Sequence, residues 1–488
     1  MPRRLADLLV FVTSGCVLVL EILAARLLAP YVGVTLETYT AIIGTMLAGI
    51  AAGTWAGGAA SDRLDPRRLI GPLLVAGGAL AVASIPLVRG LGRTGGGENQ
   101  AVVLAMAAFL LPAAVLSAVS PAVVKLQLRD LAETGSVVGR LSALGTAGAI
   151  LGTFLAGFVL VEAAPTSTSI AVVGVLLLVA GVPLWVRLGR PAAGSVAAVV
   201  VVALVGTPLA VLAGDPCDRE TTYHCARIED DPDRAGGRLL LLDTVRHSYV
   251  DLDDPTHLEF AYTRAFGAVV EALAPAGALD VLHVGGGGFT MPRHIAATRP
   301  GSTATVLEID GGVVDLVRDR LDLASVPDLD VRVGDARVLL TDIPAGSVDV
   351  VLGDAFGGLA VPWHLTTEEA ATDIARTLRD GGVYAVNVID YPPLRFARAE
   401  VATLRAVFDH VALVTGASTA TGDEGGNLVL VASDSPLDTG GLADALAGEL
   451  VVVAGRALDG FAGGAPVLRD DHAPVDQWLG QGRARALR

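Results

Sequence analysis

Lysine is all but missing: Lys125 is the only one in 488 residues, and it falls in the apolar first half. The acidic second half therefore has neither a Schiff-base lysine nor a P-loop lysine. Cysteine is scarce as well, three in all and none in a C-x-x-C pair, so neither a disulfide framework nor a cysteine zinc site is expected, and no metal is assigned. The charge balance reverses along the chain. The first 214 residues hold 13 Lys plus Arg against 9 Asp plus Glu, whereas the remainder holds 22 against 42. A domain with that acidic balance is a poor partner for nucleic acid and is compatible with cationic ligands such as polyamines, although the charge also serves solubility alone.

What the first half has is long apolar runs. A bilayer span needs roughly 20 apolar residues, and seven runs qualify: 6–29, 37–60, 69–89, 101–124, 138–161, 168–187 and 195–213. Glu21 makes the first too polar for a cleaved signal peptide, so it is read as a membrane helix. Small residues recur every fourth position at Gly49, Gly53 and Gly57, and again at Gly148 and Gly152. That spacing lets helix backbones approach closely. Glu21, with Arg26 beyond it, is either a packing contact or a functional intramembrane carboxylate.

Basic residues cluster in alternate loops: Arg3 and Arg4, then Arg63, Arg67 and Arg68, then Lys125, Arg129 and Arg140, then Arg187 and Arg190. The positive-inside rule makes the amino terminus cytoplasmic. The stretch GGAASDRLDPRR (57–68) also resembles the cytoplasmic loop between the second and third helices of major facilitator transporters. An odd number of spans then carries everything after residue 214 outside the cytoplasm. Cys217 and Cys225 are able to pair only on that oxidising side. With one span fewer, the domain is cytoplasmic and the cysteines are unremarked thiols.

The second half alternates short apolar runs with helical periodicity, which predicts an α/β doubly wound (Rossmann-like), mostly parallel sheet behind the α-helical multi-pass membrane domain. We divide the chain into a membrane domain of about seven helices (1–214), a linker and small β element (215–257) and a nucleoside-binding α/β domain (258–488). Strands are expected at 281–284, 331–333, 348–352, 383–389, 411–415 and 428–432, with helices over 258–273, 311–321, 367–378 and 394–408. The organising stretch is 281–310, VLHVGGGGFTMPRHIAATRPGSTATVLEID: strand, glycine turn, helix, and a second strand ending in acids. Glycines let a ligand approach the backbone, and a carboxylate about 20 residues on suits ribose hydroxyls.

From about residue 246 to 477 the chain resembles the spermidine synthase family, polyamine aminopropyltransferases of class I methyltransferase-like fold; with its helices it resembles the membrane-fused spermidine synthase-like proteins of bacteria. The resemblance is carried by EFAY (259–262), HVGGGG (283–288), LEID (307–310), VGDAR (333–337), DVVLGDAF (349–356), HLTTEE (364–369), GGVYAVN (381–387) and APVDQ (473–477), in that order. It implies that Gly285, Gly286 and Gly287 cradle the donor, Glu308 holds its ribose, and Asp335 accepts from adenine. It further implies catalytic roles near the amine for Tyr262 and Asp354. For Glu308 and Asp335, helix capping is the competing reading. The implied reaction is aminopropyl transfer from decarboxylated S-adenosylmethionine, a co-substrate and no permanent cofactor, to a small-molecule amine or polyamine at the lipid bilayer, with a homodimer compatible.

Two departures from the family pattern bear on this. The catalytic loop usually carries D-x-x-D but reads Asp354-Ala-Phe-Gly357, and the glycine turn usually carries an acid where Gly288 stands. Substitute bases lie nearby in sequence at His364, Glu368, Glu369, Asp390 and Tyr391, while His247 and His257 either close over the site or brace a turn. Two alternatives therefore stand beside the first reading. One is a methyltransferase, whose D/N-P-P-Y loop is matched only in letters by Asp390-Tyr391-Pro392-Pro393. The other is a catalytically idle nucleoside- or polyamine-binding domain working with a transporter-like bundle.

Overall fold

The computed structural model describes residues 1–33, 36–94, 99–128, 130–189, 214–356 and 361–479. It divides into two units, Met1–Cys225 and Ala226–Arg488. The boundary falls inside the expected linker and small β element, 215–257.

Among the described residues, six helices are long and apolar enough to cross a membrane: α1 (Arg3–Val32), α2 (Glu37–Arg63), α3 (Pro66–Gly92), α4 (Gln100–Gln127), α5 (Thr134–Ala163) and α6 (Thr166–Leu188). The seventh expected span, 195–213, lies outside the described residues. The four-residue glycine spacing does what small residues do in helix pairs. A Cβ on Gly53 would stand 1.9 Å from the Ala114 carbonyl oxygen of α4, and one on Gly148 would stand 2.0 Å from the Phe11 carbonyl oxygen of α1.

Ion pairs mark the two ends of this bundle. Near the starts of α1 and α5, Asp7 pairs with Arg140, and at the ends of α2 and α4, Asp62 pairs with Lys125. At the far end of α1, Arg26 bonds the Thr221 and Thr222 carbonyls and lies 3.5 Å from Glu220. Arg89, near the end of α3, lies 3.5 Å from Asp215. Arg26 therefore pairs with the segment that follows the last apolar run. Cys217 and Cys225, in that same segment, form a disulfide.

The second unit begins with a β meander, β1 (Cys225–Asp230), β2 (Gly237–Leu242) and β3 (Val245–Asp251). Helix α7 (Ala261–Leu273) follows, burying Tyr262, Ala265, Phe266 and Val269 along one stripe. Then come β4 (Asp280–Val284), α8 (Thr290–Thr298), β5 (Thr303–Glu308), α9 (Gly311–Arg320), β6 (Leu329–Val333), α10 (Ala336–Leu339), β7 (Val348–Gly353), α11 (Glu368–Thr377), β8 (Leu378–Asp390), α12 (Arg395–Val407), β9 (His410–Thr415), β10 (Gly426–Ser433) and β11 (Val451–Ala454).

The main sheet has eight strands in the order β11-β9-β10-β8-β7-β4-β5-β6. Pairings among β8, β7, β4, β5 and β6 are parallel. Those linking β8, β10, β9 and β11 are antiparallel. The sheet is thus mixed, and β1 and β11 were not expected. β1 ends in charged, exposed residues and β11 is four half-buried apolar residues, so neither has an alternation to announce it. Strand order reverses at β4, which lies between β5 and β7. In open α/β sheets a ligand crevice forms at that switch, outside the carboxyl ends of the strands.

Candidate active site

The glycine turn is shaped by contacts that no side chain at those positions would allow. Gly285 has φ +97°, and a Cβ there would sit 2.4 Å from the Asp354 carbonyl oxygen. The two chain segments are tied at this point, since the Asp354 amide donates to the Val284 carbonyl at 2.8 Å. The turn after β4 and the turn after β7 therefore form one surface at the switch point. Gly287, also at positive φ, lies against Ser248 and His247 of β3, and the Gly288 amide donates to Ser248 Oγ at 3.0 Å. His247 is thus seated on the glycine turn, while His257 pairs with Glu259 at 3.2 Å.

Glu308, at the tip of β5, is buried, and its Oε2 accepts from the Gly286 and Gly287 amides at 2.7 and 3.1 Å. Its Oε1 accepts from the Asp310 amide at 2.9 Å. A carboxylate offers roughly four lone-pair positions, so Glu308 braces the glycine turn and keeps about one position free. The cap of α9 falls to Asp310, whose side chain accepts from the Gly312 and Val313 amides. Asp335, at the tip of β6, does cap its own short helix, accepting from the Arg337 amide at 2.8 Å. Its other oxygen lies 3.2 Å from His364 Nε2. Beside the two acids in sequence stand exposed apolar side chains, Ile309 and Val333, and Trp363 adjoins His364.

Asp354, just past β7, receives the Asn387 side-chain amide at 2.9 Å, and Asn387 in turn receives that of Asn427 at 3.0 Å. Removal from water pushes the Asp354 carboxyl up to about 6; Asn387 and Tyr262 oppose the shift, and the Glu308 charge adds to it. Tyr262 is 8% exposed, and burial followed by the Asp354 charge holds its phenol well above the ordinary range. These two predicted residues share one recess with Ser248, Thr263, His283 and Gly285.

Of the substitute bases, three are committed elsewhere. Glu368 pairs with Arg469, Glu369 accepts from the Asp470 amide, and Asp390 accepts from the amides of Tyr391 and Ala397. Gly357 lies outside the described residues. Sequence reasoning missed His283 and Asn387. The available signal was a polar residue inside an otherwise apolar central strand, VLHV and VYAVNVI, where it must find a partner or a purpose.

No family model matches the chain. A polyamine aminopropyltransferase of Chromobacterium violaceum is 31% identical over 146 residues, 30% of this chain and 54% of that protein. Another, of Vibrio vulnificus, is 30% identical over 130 residues, 26% of this chain and 43% of that protein.

The chain is spermidine synthase-like. It spans about half the length of the curated relatives it matches. A probable spermidine synthase from Corynebacterium glutamicum, of known structure, is 30% identical, covering 53% of this chain and 97% of that one, with a TM-score of 0.49. The chain carries six long apolar helices followed by a mixed, doubly wound sheet, the fold class its sequence leads one to expect.

Proposed function

We propose that this protein is a membrane-anchored aminopropyltransferase that moves the aminopropyl group of decarboxylated S-adenosylmethionine to an amine. Asp354 carries the reading. It stands at the switch point, beside Tyr262 and the glycine turn, with its carboxyl raised to about 6. A base whose pKa lies just below the working pH is ionised yet still willing to hold a proton.

In the proposed step the amine's lone pair attacks the carbon next to the sulfonium sulfur. A C–N bond forms and the C–S bond breaks, its electron pair staying on sulfur to give neutral methylthioadenosine. The proton released from nitrogen goes to Asp354. Gly285, Gly286 and Gly287 cradle the donor, with Glu308 bracing that turn and offering its remaining lone pair to the ribose. Asp335 offers its outer oxygen to the adenine amine. Ser248 Oγ, bonded to the Gly288 amide, occupies the turn where the family usually has an acid.

We also infer that this chemistry lies outside the cytoplasm. Arg26 and Arg89 hold residues 215–222 at the helix ends opposite those of the Asp7–Arg140 and Asp62–Lys125 pairs. The Cys217–Cys225 disulfide agrees with an oxidising compartment. The purified full-length protein, given donor and putrescine or a longer amine, should release methylthioadenosine. Methyl transfer from S-adenosylmethionine with release of S-adenosylhomocysteine, and no methylthioadenosine from any amine, would replace this reading with the methyltransferase one.

A further inference from the structure

The helical unit holds a cavity of about 290 Å³ lined by α1, α2, α4 and α5. Cavities that take small organic molecules begin at about 300 Å³. The lining residues nearest a helix end, Val10, Ser120 and Leu141, are each about two turns inside it, so the cavity lies at membrane depth. Seven of the fifteen lining residues carry a hydroxyl, and none carries a charge, an imidazole or a carboxamide. The others are aliphatic or glycine.

A serine or threonine inside a helix commonly returns its hydroxyl to a carbonyl three or four residues back. Thr13, Ser61 and Thr153 do so here, onto Leu9, Gly57 and Ala149 at 2.8, 2.7 and 3.0 Å. The lining hydroxyls of Ser14, Thr54, Ser117, Ser120 and Ser142 have no such partner among the described residues. Gly145 keeps the space open: a Cβ there would stand 3.2 Å from Ser14 Oγ and 3.4 Å from Val10 Cγ1, both on lining residues.

A hydroxyl both donates and accepts, so a set of them suits a neutral ligand with several hydrogen-bonding groups. A charge at this depth needs a partner of opposite sign, and the lining supplies none. We propose that the cavity is a second small-molecule site, selective for an uncharged nucleoside, and that its occupant is the nucleoside product of the transfer reaction. The choice of occupant rests on the aminopropyl-transfer reading; the preference for a neutral, hydroxyl-bearing solute does not. In that reaction the donor is a sulfonium and the amines are ammonium ions in water. Methylthioadenosine alone is uncharged. Its ribose and base meet the free hydroxyls, and its methylthio group and ring faces meet Val17, Leu18, Ile50 and Leu116.

The test titrates full-length protein in lipid nanodiscs with methylthioadenosine, followed by calorimetry, in the presence of saturating S-adenosylmethionine. That cation fills the soluble nucleoside site and carries the charge the bundle excludes. About one further equivalent of methylthioadenosine should bind. Thr54→Val/Ser117→Ala/Ser120→Ala removes three hydroxyls and places no new polar group in lipid, so its Tm should hold while the affinity falls about tenfold or more, the scale of one or two hydrogen bonds. Gly145→Leu should abolish this binding by filling the cavity. No further binding in wild type, an unchanged affinity in the triple variant, or putrescine binding that the triple variant weakens overturns the proposal. Hydroxyl-dependent nucleoside binding by a protein that releases no methylthioadenosine would keep the bundle site and sink the transfer reaction.

Discussion

Asn387 donates its side-chain amide to the Asp354 carboxylate at 2.9 Å, joining the middle of β8 to the turn after β7. That bond favours the ionised carboxylate, while removal from water favours the acid, and the balance leaves the group near 6. If Asp354 is the base, kcat/KM should rise with pH along an acid limb centred near 6 and lie flat above it until the amine or donor titrates. Asn387→Leu removes the lowering contribution, so the limb should move up by about one pH unit. A pH profile of methylthioadenosine release checks both. An unchanged limb in Asn387→Leu would detach Asp354 from proton transfer.

The same shift has a consequence for stability. A carboxyl whose folded pKa is raised to about 6 favours the folded state while protonated, so its contribution is present below the ordinary aspartate value and is lost as pH climbs through about 6. Asp354→Asn keeps the shape and cannot ionise. Its Tm relative to wild type should therefore improve between pH 4 and pH 8, as thermal unfolding at the two pH values would record, with activity abolished. A difference in Tm that stays constant with pH contradicts the raised carboxyl.

Two glycines with nearly equal positive φ separate strain from contact. Gly277 has φ +95° and nothing within 4 Å of an added Cβ, whereas Gly285 has φ +97° and the Asp354 carbonyl oxygen at 2.4 Å. Gly277→Ala should cost about 1 kcal/mol, the strain alone. Gly285→Ala should cost several-fold more and abolish nucleoside binding, because the turn after β7 must move. Chemical denaturation of both variants measures the difference.

The cysteines report the side of the membrane. In intact cells, a membrane-impermeant maleimide should label neither Cys217 nor Cys225 until an impermeant reductant opens their disulfide, after which both should react. Labelling only after permeabilisation would put the domain in the cytoplasm.

Much of this molecule is legible in its sequence because period and punctuation agree: glycine runs after apolar strands, acids at strand tips, and apolar stretches of bilayer length. The glycine-to-backbone approaches of α2 and α5 followed directly from spacing. What was hidden depends on pairing across the chain. Nothing local says that Glu308 will spend most of its lone pairs on the amides of residues 286, 287 and 310, or that Asn387 will face Asp354. Asp335 at the start of α10 follows the competing reading, capping its helix with one oxygen, and turns the other toward His364, a residue 29 positions on that no local pattern ties to it. His283 is hidden because its neighbours Val281, Leu282 and Val284 already make the strand read as an apolar core element.

The most direct test is the release of methylthioadenosine by the purified full-length protein from decarboxylated S-adenosylmethionine and putrescine, run beside Asp354→Asn. The account predicts steady release by wild type and a drop of at least about a hundredfold in the variant, the scale of a lost general base. Equal rates in the two proteins, or no release by wild type with putrescine or any longer polyamine, would contradict it.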